Sequence, residues 1–185
     1  PYDSQKAFRT IGVVAQFPNV VLVNAQFPAK SVAELTAAAR AKKDAVSFAS
    51  SGNGSAQHLA GALFEDRAGV QLVHVPYRGG GPALNDVIGG QVPLFFANVA
   101  SSLGHIQAGK LRALAVTSRR RARALPEVPS MEEAGVAGYE VFEWNPLLAP
   151  AGVDAATRAR LRAALVKVLP ALAGSASKTP TKPNN

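Results

Sequence analysis

Three times between residues 46 and 108 a short apolar run gives way, through a loop of small residues, to a helix-patterned segment, and few folds accommodate that repetition. Val46 to Ala49 reads as a strand, followed by the loop Ser50-Ser51-Gly52-Asn53-Gly54. From Ser55 the apolar residues Leu59, Ala62 and Leu63 fall three and four apart, predicting a helix to about Ala68 that Gly69 ends. Leu72 to Val75 is the next strand, Pro76 to Gly81 the next loop, and Pro82 suits the first position of a helix through Ile88. Val92 to Phe96 is a third strand, Ser101 to Ala108 a short helix stopped by Gly109, and Leu114 to Thr117 a further strand. Strands alternating with helices of this size predict an α/β fold, a mainly parallel sheet with helices on its faces.

The flanks carry weaker signals. Ile11 to Val23 is two β-branched runs separated by Phe17-Pro18-Asn19, which predicts strand, turn, strand. Ser31 and Glu34 stand at capping-box spacing ahead of a helix to about Ala41, and Ser130 with Glu133 repeats that spacing before a short helix closed by Gly135 and Gly138. Tyr139 to Leu148 reads as strand and linker. Val153-Asp154 then opens a helix with the face Leu161, Leu165 and Val168, ended before Pro170, and the remaining AGSASKTPTKPNN is a polar, low-complexity tail of the kind that stays disordered.

Composition narrows the function classes. A chain of 185 residues, 48% hydrophobic, is that of a globular protein and fits one large domain or two small lobes. No run approaches the roughly 18 apolar residues of a membrane span. The absence of cysteine excludes disulfides, thiolate metal sites and a Cys nucleophile while leaving the compartment open. The opening PYDSQKAF reads as the interior of a protein, so any targeting segment is expected to have been removed or never included. A net charge of +8 makes attraction to anions plausible, and Arg119-Arg120-Arg121-Ala122-Arg123 is the densest patch. That run lacks aromatics and any nucleic-acid-binding motif, so it reads as a solvated loop and no nucleic-acid partner is expected.

In open α/β sheets ligands settle at the carboxyl ends of strands, where loops lead into helices. The first N–H groups of a helix lack internal partners and its dipole is positive there, which suits a carboxylate. Ser50, Ser51 and Ser55 add hydroxyls, Asn53 an amide, and Gly52 and Gly54 allow close backbone approach. One helix end supplies roughly 0.3–2 kcal/mol, whereas micromolar affinity needs about 8 kcal/mol, so several such elements must converge. Ordinary caps and turns would use the same residues, and both readings stay open on physics alone. Ser55-Ala56 after Gly54 breaks the P-loop pattern and Gln57 breaks the dinucleotide fingerprint, so no cofactor is expected. A serine-dependent hydrolase using Ser55 and His58 is the alternative, without a G-x-S-x-G elbow to support it. His58 is either a ligand donor or a local hydrogen-bonding residue, and no metal-binding spacing is present.

Taken together, FPAKSVAEL, FASSGNGSAQHLAGALF, HVPYRGGGPALNDVIGGQV, AGKLRALAVTSRRRARALPEVPSMEEAGVAGYEVFEW and LLAPAG resemble successive blocks of the Bug family of periplasmic solute receptors, over about residues 1 to 169. The resemblance implies a two-lobed, type II periplasmic binding protein that is not an enzyme, closes over a small organic carboxylate and delivers it to the membrane subunits of a tripartite tricarboxylate transporter. It places Ser50 to Ser55 with His58, the loop Tyr77, Arg78, Gly79 and Gly80, and the strand end Ala97-Asn98 around the ligand. It also implies a first lobe of residues 1–23 and 114–172, a second of 24–113, and a tail of 173–185. Ala97 stands where relatives often carry an acid, which argues against a ligand amino group held there by a carboxylate. Arg78 replaces a common Lys with a planar fork, and Pro146 replaces a usual Gly. Relative to the family pattern the first lobe is expected to be incomplete in this chain.

Overall fold

The computed structural model describes residues 2–41 and 46–175. The elements in chain order are α1 (Ser4–Ala7), β1 (Phe8–Asn24), α2 (Val32–Ala41), β2 (Ser47–Ser50), α3 (Ala56–Ala68), β3 (Val73–Pro76), α4 (Gly80–Ile88), β4 (Leu94–Asn98), α5 (Val99–Gln107), β5 (Leu111–Val116), β6 (Phe142–Pro150) and α6 (Ala155–Ser175). Contacts divide the chain into a unit of residues 1–16 and 144–185 and a larger unit of residues 17–143. These boundaries lie away from the expected 23/24 and 113/114. The reason is pairing: Val20 to Asn24 of β1 is in register with Leu111 to Val116 of β5, so both belong to one sheet.

The sheet order is β3-β2-β4-β1-β5, with β6 also pairing β1. β2 is parallel to β3 and β4, while β1 is antiparallel to both β4 and β5. The sheet is therefore mixed rather than mainly parallel. Strand periodicity reports which face a residue occupies, not which way the strand runs.

Alternation sorts the larger unit's core into two layers. Val21, Val23, Phe48, Leu94 and Phe96 pack with Leu35, Ala60 and Phe64 of α2 and α3. Val20, Leu22, Ala49, Phe95 and Ala97 pack with Ala83, Leu84, Val87 and Val99 of α4 and α5. Both faces of the sheet are thus covered, which is why its strands are apolar at consecutive positions. The buried Tyr139 donates its hydroxyl to the Ala60 carbonyl at 2.7 Å, tying the segment before β6 to α3.

Three local expectations are corrected. Phe17-Pro18-Asn19 is not a turn but the middle of β1. The Asn19 N–H bonds Thr117 in the β5 direction, so the Pro18 nitrogen faces the β4 side, and β4 pairing stops at Asn19↔Asn98; the missing donor costs no ladder bond. The second capping box forms, with Ser130 Oγ accepting the Glu133 N–H at 3.1 Å and Glu133 Oε2 accepting the Ser130 N–H at 2.7 Å. The chain after it stays in turns, and Gly135 at φ 92° breaks the helical path. In the smaller unit α6 runs through Pro170 to Ser175, so part of the expected tail is helical; residues 176–185 lie outside the described residues. Asp154 caps α6 by accepting the Thr157 N–H at 2.8 Å. Of the expected apolar face only Leu165 is half-buried, against Gly12 of β1, while Leu161 and Val168 are exposed, because this unit offers α6 little strand surface.

Candidate functional site

Because β2 is parallel to both neighbours, the carboxyl ends of β3, β2 and β4 lie side by side, and each leads directly into a helix. The two glycine loops are in contact. The Tyr77 N–H donates to the Ser50 carbonyl at 3.0 Å. A Cβ on Gly52 would stand 3.3 Å from the Tyr77 carbonyl oxygen, and one on Gly80 would stand 3.4 Å from Ser51 Oγ.

The three helix starts differ. Ser55 caps α3, its Oγ accepting the His58 N–H at 3.3 Å. Asn98 caps α5, its Oδ1 accepting the Ala100 N–H at 2.8 Å. At α4 the capping position is Gly79, at φ 114°, which has no side chain to offer. The Gly80 and Gly81 N–H groups have no partner among the described residues, and Pro82, third in the helix, brings no donor. This corrects the expected first-position proline by two residues. Arg78 is exposed and has no hydrogen-bond or ion-pair partner among the described residues.

Other predicted residues serve the scaffold. The Tyr77 hydroxyl donates to Asp86 Oδ2 at 2.7 Å, and burial together with that bond pushes its pKa up to about 12. Ala97 is fully buried and packs in the α4/α5 layer. Asn53 and Gly54 are exposed at the loop tip. His58 takes the local role, its Nδ1 accepting the Gly54 N–H at 3.0 Å.

Sequence reasoning gave His74 no place in the binding site, although it holds the loop from beneath. Its register partner in β2 is Phe48, which places both rings on one face. His74 Nε2 is 2.6 Å from Ser50 Oγ, and its ring stacks on Phe48 at 4.9 Å and on His58 at 4.0 Å. Ser50 Oγ also accepts the Gly52 N–H at 3.1 Å. Ser55 Oγ, by contrast, meets the backbone of His58 rather than its imidazole, so that pair lacks the nucleophile–base bond a hydrolase requires. Among the described residues there is no group of three His, Cys, Asp or Glu able to hold a metal. In the arginine run, Arg119 pairs with Glu140 and Arg121 with Glu133, both at 3.1 Å on the surface.

The stacked imidazoles make the loop sensitive to acid. Burial, and secondarily the neighbouring His58, hold the His74 pKa below its ordinary 6.5. The folded chain then binds fewer protons than the unfolded one below pH 6.5, so its stability is complete above that value and falls as the pH drops toward the lowered one. Melting curves from pH 7.5 to about 5 should show Tm falling as the pH drops, and His74→Gln should flatten the fall; equal slopes in both proteins would remove His74 from the account.

The fold, a mixed sheet covered on both faces, is that of the periplasmic binding proteins among solved structures, and hydroxyls, side-chain amides and the uncapped start of α4 gather at its adjoining strand ends. The chain belongs to the tripartite tricarboxylate transporter family of receptors, whose model matches residues 1–182. It is 35% identical to the protein BugT of Bordetella pertussis over 83% of this chain and 47% of that one. An R. palustris protein solved with adipate superimposes with a TM-score of 0.84 at 35% identity, over 94% of this chain and 56% of the other. MatC from Rhodopseudomonas palustris with bound malate gives 0.81 at 29% identity, over 86% and 54%. The chain spans about half the length of the curated relatives it matches.

Proposed function

We propose that this chain is the ligand-binding portion of a periplasmic receptor that takes up a small organic carboxylate and hands it to the membrane subunits of a tripartite tricarboxylate transporter. The observation that carries the reading is the contact between the two glycine loops, which brings the uncapped start of α4 beside the Ser51 hydroxyl. A carboxylate there accepts the Gly80 and Gly81 N–H groups along the α4 dipole, with Ser51 Oγ on one side and Arg78 free to swing in from solvent. Adipate and malate in the two solved relatives support the ligand class.

Thermal-shift titration with a panel of di- and tricarboxylates tests the proposal. A ligand present at about 100 times its Kd stabilises by about 2.7 kcal/mol, which for a chain this long raises Tm by about 5–10 °C. Saturable shifts for one or a few acids, lost in Arg78→Ala, are the expected result. A flat response to every acid from this chain, beside a full-length relative that responds, would set the reading aside.

A further inference from the structure

At the same row of strand ends, at the starts of α3 and α5, lies a polar cluster that the two glycine loops do not use. Glu143 Oε2 accepts from Gln57 Nε2 at 3.1 Å and from Asn98 Nδ2 at 3.4 Å, so a carboxylate of the protein itself sits at the starts of α3 and α5. No Lys or Arg pairs with it among the described residues, and Oε1 receives no donor there. An ionised carboxylate only accepts hydrogen bonds, so this open oxygen is a place for a donor and an unfavourable one for a second anion.

Asn19 provides an independent sign of unmet polar chemistry at the same spot. It is fully buried, yet neither Nδ2 nor Oδ1 has a partner among the described residues. Buried amides left in this state are rare enough to require an explanation. Its backbone N–H and carbonyl both bond Thr117, on the β5 side. Its register pair with Asn98 is consequently the kind without mutual hydrogen bonds, in which facing side chains share one side of the sheet and come closest. Asn19 therefore lies beside the Asn98 side chain that holds Glu143.

We infer that Asn19, Gln57, Asn98 and Glu143 form a specificity subsite that receives a hydrogen-bond-donating substituent, a hydroxyl or an ammonium group, carried by the bound acid. Gln57 and Asn98 position the Glu143 carboxylate, Glu143 accepts from the substituent, and Asn19 supplies the neighbouring amide. This rests on the carboxylate reading above and adds to it a discrimination between acids of equal length.

The test uses succinate and adipate, each beside its 2-hydroxy and 2-amino derivative, titrated calorimetrically into the full chain, Glu143→Ala and Glu143→Gln. In the parent chain at least one derivative should bind about tenfold or more tighter than its unsubstituted acid. In Glu143→Ala that ratio should fall close to one, while the unsubstituted acid binds at least as tightly as before, which also reports that the variant is folded. Glu143→Gln separates the sources: an ammonium loses its preference as fully as with Ala, whereas a hydroxyl, able to accept from the new amide, keeps part of it. Equal binding of parent and derivatives in the unmodified chain, or a preference that survives Glu143→Ala, overturns the subsite while leaving the carboxylate reading intact. Failure of all six acids to bind, beside a full-length relative that binds one of them, removes both.

Discussion

Gly61→Val will melt far below the unmodified chain. Gly61 lies buried in α3, over the ring of Phe48 in β2. A Cβ built there stands 2.8 Å from Phe48 Cδ2, 2.5 Å from Cζ and closer still to Cε2. The ring has nowhere to go, being fully buried with Phe96 against its edge at 5.9 Å and His74 stacked on it at 4.9 Å. Forcing three extra carbons into a packed core of this kind costs about 3 kcal/mol, which the few tenths gained by removing a helical glycine do not offset. For a protein of this size that is a fall in Tm of about 6–12 °C. The same displacement unseats His74 from beneath Ser50, so ligand affinity should fall with stability. A calorimetric melt within about 2 °C of the parent would show that the α3–β2 contact is looser than described.

What was legible in the sequence divides by the range of the interaction. The limits of α3 were readable because their causes are local: Ser55 caps the N–H three residues on, and Gly69 at φ 62° ends the helix. The glycine loops were readable for the same reason, since positive φ and small side chains leave their mark in composition. The direction of β1 was not, because alternation is identical for parallel and antiparallel strands. Pro18 misled for a related reason, since its tolerance depends on where β4 happens to end. Pro170 misled too, as a proline is costly inside a helix but does not forbid one. The contacts of His74, Glu143 and Asn19 were not legible because they depend on register. Ser50 and His74 are 24 positions apart, and Gln57 and Glu143 are 86 apart. Only the pairing of β2 with β3, and the return of the chain past Asn98, brings them together. Family resemblance implied the ligand class and the loop residues, and it named Ala97 and Asn98 but not the glutamate whose Oε2 accepts from Asn98.

Gly52→Ala should sharply weaken binding while leaving the fold in place. Gly52 sits at φ 126°, where a side chain is strained regardless of space, and its Cβ would also press on the Tyr77 carbonyl oxygen at 3.3 Å. Strain of this kind costs about 1–3 kcal/mol, and the exposed loop relieves it by moving rather than by unfolding the sheet. Movement breaks the Gly52 N–H bond to Ser50 Oγ and the Ser55 N–H bond to the Gly52 carbonyl, at 3.1 and 3.2 Å. It also separates Ser51 from the open start of α4, and with convergence lost the remaining single helix end cannot hold a micromolar ligand. Affinity should drop by about a hundredfold or more, equivalent to the roughly 3 kcal/mol contributed by two charge-assisted bonds. Gly54→Asn is the control: Gly54 is at φ 76° with nothing within 4 Å of a built Cβ, and asparagine tolerates the left-handed region. It should bind within about threefold of the parent, a difference of under 1 kcal/mol. Both variants binding as the parent does would mean that the loop's shape does not create the site, and the ligand would then have to be sought away from the mouths of α3 and α4.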